Sequence, residues 1–208
     1  NGPGVVNVPW LNNIKAVLFS GFPGMESGNA IADVLFGNAN PCGHLPFVWG
    51  KIDDYGARIN GELTKKGNLY QYDYNEGLYV GQRWFNKKGI KAIFPFGWGL
   101  SYSKFSYKNL KLSMGKKGLE ASFEVTNVSD VKGKAVPMLF LTFPDSIGDY
   151  PKYILKGFEK VELTGGETKK VTIVSDSHAL SIFDLTANNY VRVKKGTFKV
   201  AIAENGDP

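Results

Sequence analysis

From residue 106 to the end, apolar and polar residues alternate in short segments. In order these are YKNLKLSM, LEASFEVTNV, AVPMLFLTFP, LKGFEKVEL, KKVTIVS, NNYVRVKKG and TFKVAIAEN. A period of two places one set of side chains on a buried face and the other in water, so each segment reads as a strand. Gly, Asn and Lys turns separate them. Seven such strands in about 100 residues predict an antiparallel β-sandwich of immunoglobulin or fibronectin type III shape. The single cysteine, Cys42, excludes the disulfide-bridged antibody variant.

The first half obeys a different period. KAVLFSGF is a near-continuous apolar run, as expected of a strand buried on both faces of a parallel sheet. PGMESG is a turn, and NAIADVLFG then sets Ile31, Val34 and Leu35 on one helical face, with Gly37 as its stop. One strand–loop–helix unit cannot make a parallel sheet, so the companion strands are expected upstream and the chain reads as a C-terminal piece. Residues 38–93 are loop-rich. The period changes at FPFGWGLSYSKF, residues 94–105. The expected architecture is therefore α/β followed by all-β: part of an α/β sandwich over 1–105 and a β-sandwich over 106–208. The rings of Phe94, Phe96, Trp98 and Tyr102 are expected at the seam between them.

Composition narrows the function. Only three of the 25 basic residues are arginines (Arg58, Arg83 and Arg192), and the lysines are scattered in turn-side pairs. That argues for a solvated surface and against nucleic acid, whose readers favour Arg. No apolar run is long enough to span a bilayer. Cys42 and His44 with a distant His178 do not make a metal site, which needs three or four ligands, so no metal or cofactor is expected.

No phosphate loop, dinucleotide fingerprint or nucleophile elbow occurs. Glu26 lies in the loop after a parallel-type strand, where open α/β sheets place ligands; it could equally charge the N-terminus of the next helix. Glu76 could contact a hydroxylated ligand or pair with Arg83. Trp10, Trp49, Trp84 and Trp98 read as core or interface rather than as sugar platforms. Asn127-Val128-Ser129 is a formal glycosylation sequon at a strand end.

FSGFPGMESGNAIADVLFGNANPCGHLPFVWGK resembles the glycoside hydrolase family 3 pattern of Pro-Gly-Gln-Glu, Ala-Asp-Val-Leu-Phe-Gly and Asn-Pro-x-Gly-x-Leu-Pro. YNEGLYVGQRWFNKKGIKAIFPFGWGLSYSKFSY resembles its Glu-Gly-x-x-x-x-Tyr-Arg-Trp-Phe and Phe-Pro-Phe-Gly-x-Gly-Leu-Ser-Tyr segments. The tail is similar to the family's fibronectin type III-like domain. Met25 replaces the usual Gln, Gln82 the usual Tyr, and Ile182 and Tyr190 stand where Trp is common.

The resemblance implies a retaining β-glucosidase acting on cellobiose, short β-glucosides or cello-oligosaccharides. Its Asp nucleophile and Glu acid/base stand about 5–5.5 Å apart. The Ser-Asp-Trp-like motif of the nucleophile is absent here. So is the Asp-Arg segment of the acid/base, expected upstream of Gly2-Pro3. No catalytic residue is therefore expected in this chain, which alone should be inactive. Met25, Glu26 and Glu76 are expected close to the substrate or behind the groups that touch it. The resemblance also implies an extracellular protein and leaves open a homo-oligomer or larger cellulolytic assembly. A non-catalytic polysaccharide-binding or scaffold module, and a family 3 β-xylosidase, are the alternatives.

Overall fold

The computed structural model describes residues 7–55, 64–66, 69–71 and 76–208; Gly2, Pro3 and Arg58 lie outside them. The first unit carries α1 (Ser27–Leu35), the short pair β1 (Thr64–Lys66) and β2 (Leu69–Gln71), and α2 (Gln82–Lys88). The second carries β3 (Phe105–Met114), β4 (Leu119–Asn127), β5 (Gly133–Ala135), β6 (Met138–Thr142), β7 (Ile154–Phe158), β8 (Val161–Leu163), β9 (Thr168–Val174), β10 (Ser181–Asp184), β11 (Asn189–Arg192) and β12 (Lys199–Ala203).

The sandwich follows from the alternation. In β4, Leu119, Ala121, Phe123, Val125 and Asn127 are all buried while the residues between them are not. Strands β3-β4-β9 form one sheet and β12-β6-β7 another, all antiparallel. Phe123, Val125, Leu139, Leu163 and Ile173 fill the core between them. Two predicted long strands are each broken in two. Pro137 has no N–H to offer a ladder, so AVPMLFLTFP divides into β5 and β6, while LKGFEKVEL divides into β7 and β8. The halves keep one hairpin, β5 on β8 and β6 on β7, with the break bridged from Glu159 N to the Pro137 carbonyl at 3.2 Å. The sequence reading missed β10, because SIFD is too short for its alternation to register.

Strand β6 is buried on both faces. Leu139 and Leu141 point into the sandwich, whereas Met138 and Phe140, 4% and 3% exposed, point the other way. A side chain on Gly97 would strike the Met138 methyl at 2.6 Å, so the backbone of the first unit covers that outer face.

The first unit differs from the sequence expectation in one important respect. Residues 16–20 belong to no helix and no ladder, and Val17 and Leu18 are 42% and 45% exposed. No parallel pair occurs among the described residues. A doubly buried strand takes its hydrogen bonds and its cover from neighbouring strands; among the described residues none pairs with this segment, and its Phe19 ring packs on Phe47 and Trp49. Helix α1 forms where expected, with Gly37 at φ +79 just past its end, yet buries none of its residues. Helix α2 was not anticipated. Phe85 anchors it, fully buried against Tyr55 with ring centroids 5.0 Å apart, and Gly89 ends it in the left-handed conformation. Among the described residues no helix is long and apolar enough to cross a membrane.

Candidate functional site

Segment 94–105 is laced to both units. Towards the first, Trp49 and Phe94 exchange backbone hydrogen bonds at 2.7 and 2.9 Å. Gly97 N donates to Leu45 O, and Leu45 N to Trp98 O, both at 2.8 Å. The rings of Phe19, Phe47, Trp49, Phe94 and Trp98 succeed one another at centroid separations of 5.5–6.1 Å. Gln82 of α2, also in the first unit, accepts from Phe96 N at 2.9 Å, and towards the second unit Gly206 N donates to Phe96 O at 2.6 Å.

Asn40 is the knot of this seam, and the sequence reading overlooked it. Its amide Nδ2 donates to Ser103 Oγ at 2.8 Å and to Lys132 O at 2.9 Å. Its Oδ1 accepts from Ser101 Oγ and Tyr102 N at 2.8 and 2.9 Å. The Tyr102 hydroxyl donates to Val34 O at 2.6 Å, stapling the segment to α1. His44 Nδ1 donates to Gly97 O at 2.5 Å, so its proton belongs on that nitrogen.

A second, ionic contact joins the units. Lys87 of α2 donates to Asp149 Oδ2 at 2.7 Å and lies 3.7 Å from the Tyr79 ring centroid, while the Tyr79 hydroxyl donates to Asp149 Oδ1. The Lys87 bond, then the Tyr79 bond, hold the Asp149 carboxyl below its usual 3.8. The bond to Asp149 raises Lys87 above its usual 10.5. A lowered acid stabilises the fold above its unfolded value and loses that contribution as pH falls further; a raised amine does so below its unfolded value and loses it as pH rises. Asp149→Asn is therefore expected to lower the melting temperature slightly between these limits, since the pair is solvent-exposed. The difference between the parent and the variant should vanish in melts taken well below pH 3.8. A difference that persists undiminished in acid would refute the clasp.

Among the described residues no hydrogen bond or ion pair joins Met25 or Glu26 to Glu76. Met25 is 98% exposed at the tip of the 22–26 loop. Glu26 precedes α1, its Oε2 accepts from Asn29 Nδ2 at 2.7 Å, and its side chain makes no capping bond to the helix backbone. Glu76 is half-buried, and none of the ion pairs among the described residues joins it to Arg83, which instead donates to Leu78 O at 3.4 Å. Phe94, Phe96, Trp98 and Tyr102 share the seam described above. The sequon is not a surface acceptor: Asn127 is fully buried, and both its side-chain atoms are consumed within the sandwich.

Comparison with known proteins places each part of the chain. The glycosyl hydrolase family 3 C-terminal domain matches residues 1–102, and the fibronectin type III-like domain matches residues 135–205. Thermostable beta-glucosidase B of Acetivibrio thermocellus is 36% identical over 96% of this chain and 26% of its own length. Probable beta-glucosidase M of Neosartorya fischeri is 34% identical over 94% of the chain and 28% of its own length. The crystal structure of a beta-glucosidase from Kluyveromyces marxianus in complex with glucose superposes with a TM-score of 0.88 at 33% identity, covering 98% of this chain and 24% of that one. Beta-glucosidase 3B from Thermotoga neapolitana superposes at 0.87 with 29% identity, over 98% of this chain and 28% of that one. The chain thus spans about a quarter of the length of these relatives. It belongs to glycosyl hydrolase family 3, whose C-terminal domain it carries ahead of a fibronectin type III-like domain.

Proposed function

We propose that this chain is the C-terminal region of a retaining β-glucosidase that releases terminal glucose from cellobiose and short β-glucosides outside the cell. The observation that carries the reading is the uncovered apolar face of the first unit. Val17, Leu18, Phe22, Leu35 and Phe36 are 42%, 45%, 78%, 64% and 82% exposed, in the segment without a ladder, the loop that follows it and the C-terminal end of a helix without a buried residue. An apolar face this large is costly in water and calls for a covering layer.

In this reading residues 1–105 complete an α/β sandwich whose parallel strands flank residues 14–20, and residues 106–208 are the β-sandwich domain. A preceding barrel supplies the Asp nucleophile, and the earlier part of the α/β domain supplies the Glu acid/base. The loop bearing Met25 and Glu26 lies at the carboxyl edge of that sheet, towards the pocket, with Glu76 behind it. Phe94, Phe96, Trp98 and Tyr102 hold the two domains in register.

The test is a chimera in which this chain replaces the matching quarter of the Acetivibrio thermocellus enzyme. The chimera is expected to hydrolyse p-nitrophenyl β-D-glucoside and cellobiose and to prefer the glucoside over the xyloside, while the 208-residue chain alone hydrolyses neither. A folded but inactive chimera, a xyloside preference, or activity in the isolated chain would each sink the proposal.

A further inference from the structure

The second unit carries a cleft that the seam does not use. It holds about 860 Å³ between the loop of residues 143–153 and the start of β12. Its walls combine rings and hydroxyls: Phe143, Tyr150 and Tyr153 stand beside Ser146 and Thr197. Phe143 packs edge-on against both Tyr150 and Phe198, at 5.1 and 5.3 Å, so the floor is fixed. Gly196, at φ +104, lets the opposite wall close on Pro144, where a side chain would collide at 2.4 Å.

Beyond Tyr150 the aromatic surface continues. Tyr150, Ile182 of β10 and Val193 just past β11 pack against one apolar cluster, and the Tyr150 hydroxyl feels the charge of Arg83 on α2. Tyr190 stacks on His178 at 4.4 Å and 25°, and Phe183 meets it edge-on at 5.3 Å. Phe183 and Tyr190 face each other across the β10–β11 hairpin and stay 48% and 51% exposed. Alternation along β11 puts Arg192 on their face of the hairpin. Turns hold the platform: Asp176 accepts from His178 N at 2.7 Å, and Asp184 accepts from Thr186 N and Ala187 N at 2.8 and 3.0 Å.

Four cations border this surface without a carboxylate partner. Among the described residues, Lys152, Lys199, Arg83 and Arg192 enter no ion pair, although Lys152 sits 5.4 Å over the Tyr153 ring. The nearby acids are Asp145 on the cleft wall and Asp149, Asp176 and Asp184; Lys87 pairs with Asp149, whereas the backbone bonds that Asp176 and Asp184 accept leave their charges in place. Lys156, 5.6 Å over the Phe143 ring, adds a fifth cation, so five cations stand against three carboxylates without an ion pair and the balance is positive. Rings offer a face to the C–H side of a pyranose, hydroxyls match its hydroxyls, and free cations complement carboxylates. We propose that the cleft and its aromatic shelf bind an acidic polysaccharide, a chain of pyranose rings bearing carboxylates. A neutral glucan would leave the cations unanswered, and an acidic peptide would leave the shelf unused.

The proposal is read by binding to the 208-residue chain and does not depend on the hydrolytic reading. The chain is run through native gels cast with polygalacturonate, neutral barley β-glucan or poly-glutamate, and its affinity for polygalacturonate is then titrated. Retardation is expected with polygalacturonate and weaker with the other two. Tyr190→Ala and Lys152→Ala should each weaken binding about tenfold with unchanged melting temperature. If Tyr190→Ala alters the melt, the exposed Arg192→Gln replaces it, with the same expected loss. Equal retardation by poly-glutamate would reduce the site to bare charge, and equal retardation by β-glucan would remove the role of the cations. Either result, or affinity for polygalacturonate that ignores all three substitutions, overturns the proposal.

Discussion

Asn127→Ala is expected to destabilise the protein by about 3–4 kcal/mol, read as a lowered midpoint in urea with an unchanged slope. The residue has no exposed surface. Its amide donates to Val131 O at 2.8 Å and Leu163 O at 3.3 Å, and its Oδ1 accepts from Ser129 N at 3.1 Å and Ser129 Oγ at 2.6 Å. Its backbone adds two more bonds, from Asn127 N to Glu167 O and from Gly166 N to Asn127 O. Alanine keeps the backbone bonds but removes the side-chain partner of Leu163 O, Ser129 N and the Ser129 O–H, while Val131 O retains the Ser103 hydroxyl and Ser129 Oγ retains Lys104 N. Asn127→Asp should cost as much, since a carboxylate cannot donate to the two carbonyls. The same geometry predicts that mass spectrometry of the folded protein from a glycosylating host will show this asparagine unmodified. A loss below about 1 kcal/mol would mean that the bonds are not formed in solution.

Gly99→Ala is expected to cost about 3 kcal/mol, a fall of about 6–12 °C in melting temperature. The φ of Gly99 is not the obstacle; space is. An added Cβ would lie 2.3 Å from Gly43 O and 3.2 Å from His44 Nδ1. A backbone carbonyl cannot turn aside as a flexible side chain can. The strands of the seam would have to part, straining the reciprocal bonds between Leu45 and residues 97 and 98 and the His44 bond to Gly97 O. Limited proteolysis should then find new cleavage between the two units before the sandwich itself unfolds. A melt within a degree of the parent would show that the close approach is absent.

These two positions illustrate what a single sequence can and cannot carry. The sandwich was legible because β4 and β9 each expose one face, and the period of two survives in their residues. Helix α1 was legible from its apolar spacing and its terminal glycine. Helix α2 was not, because QRWFNKK offers only seven residues and two apolar anchors. Strand β6 reads as a plain apolar run because a second layer covers its outer face, a fact about contact between units. Asn127 matched a surface motif of three residues, and nothing local distinguishes an exposed asparagine from one plugged into a core.

The sequence by itself determined the β-sandwich, helix α1, the change of period at residues 94–105 and the family, because each is written in neighbouring residues. The tertiary structure decided the rest. It made Asn40 a knot between residues 101–103 and 132, joined Lys87 to Asp149 across 62 positions, buried Asn127, and left residues 16–20 without a ladder. The physical reason is range. Periodicity and turn chemistry act over a few residues, whereas burial and hydrogen-bond partners are settled by segments that meet only when the chain has folded.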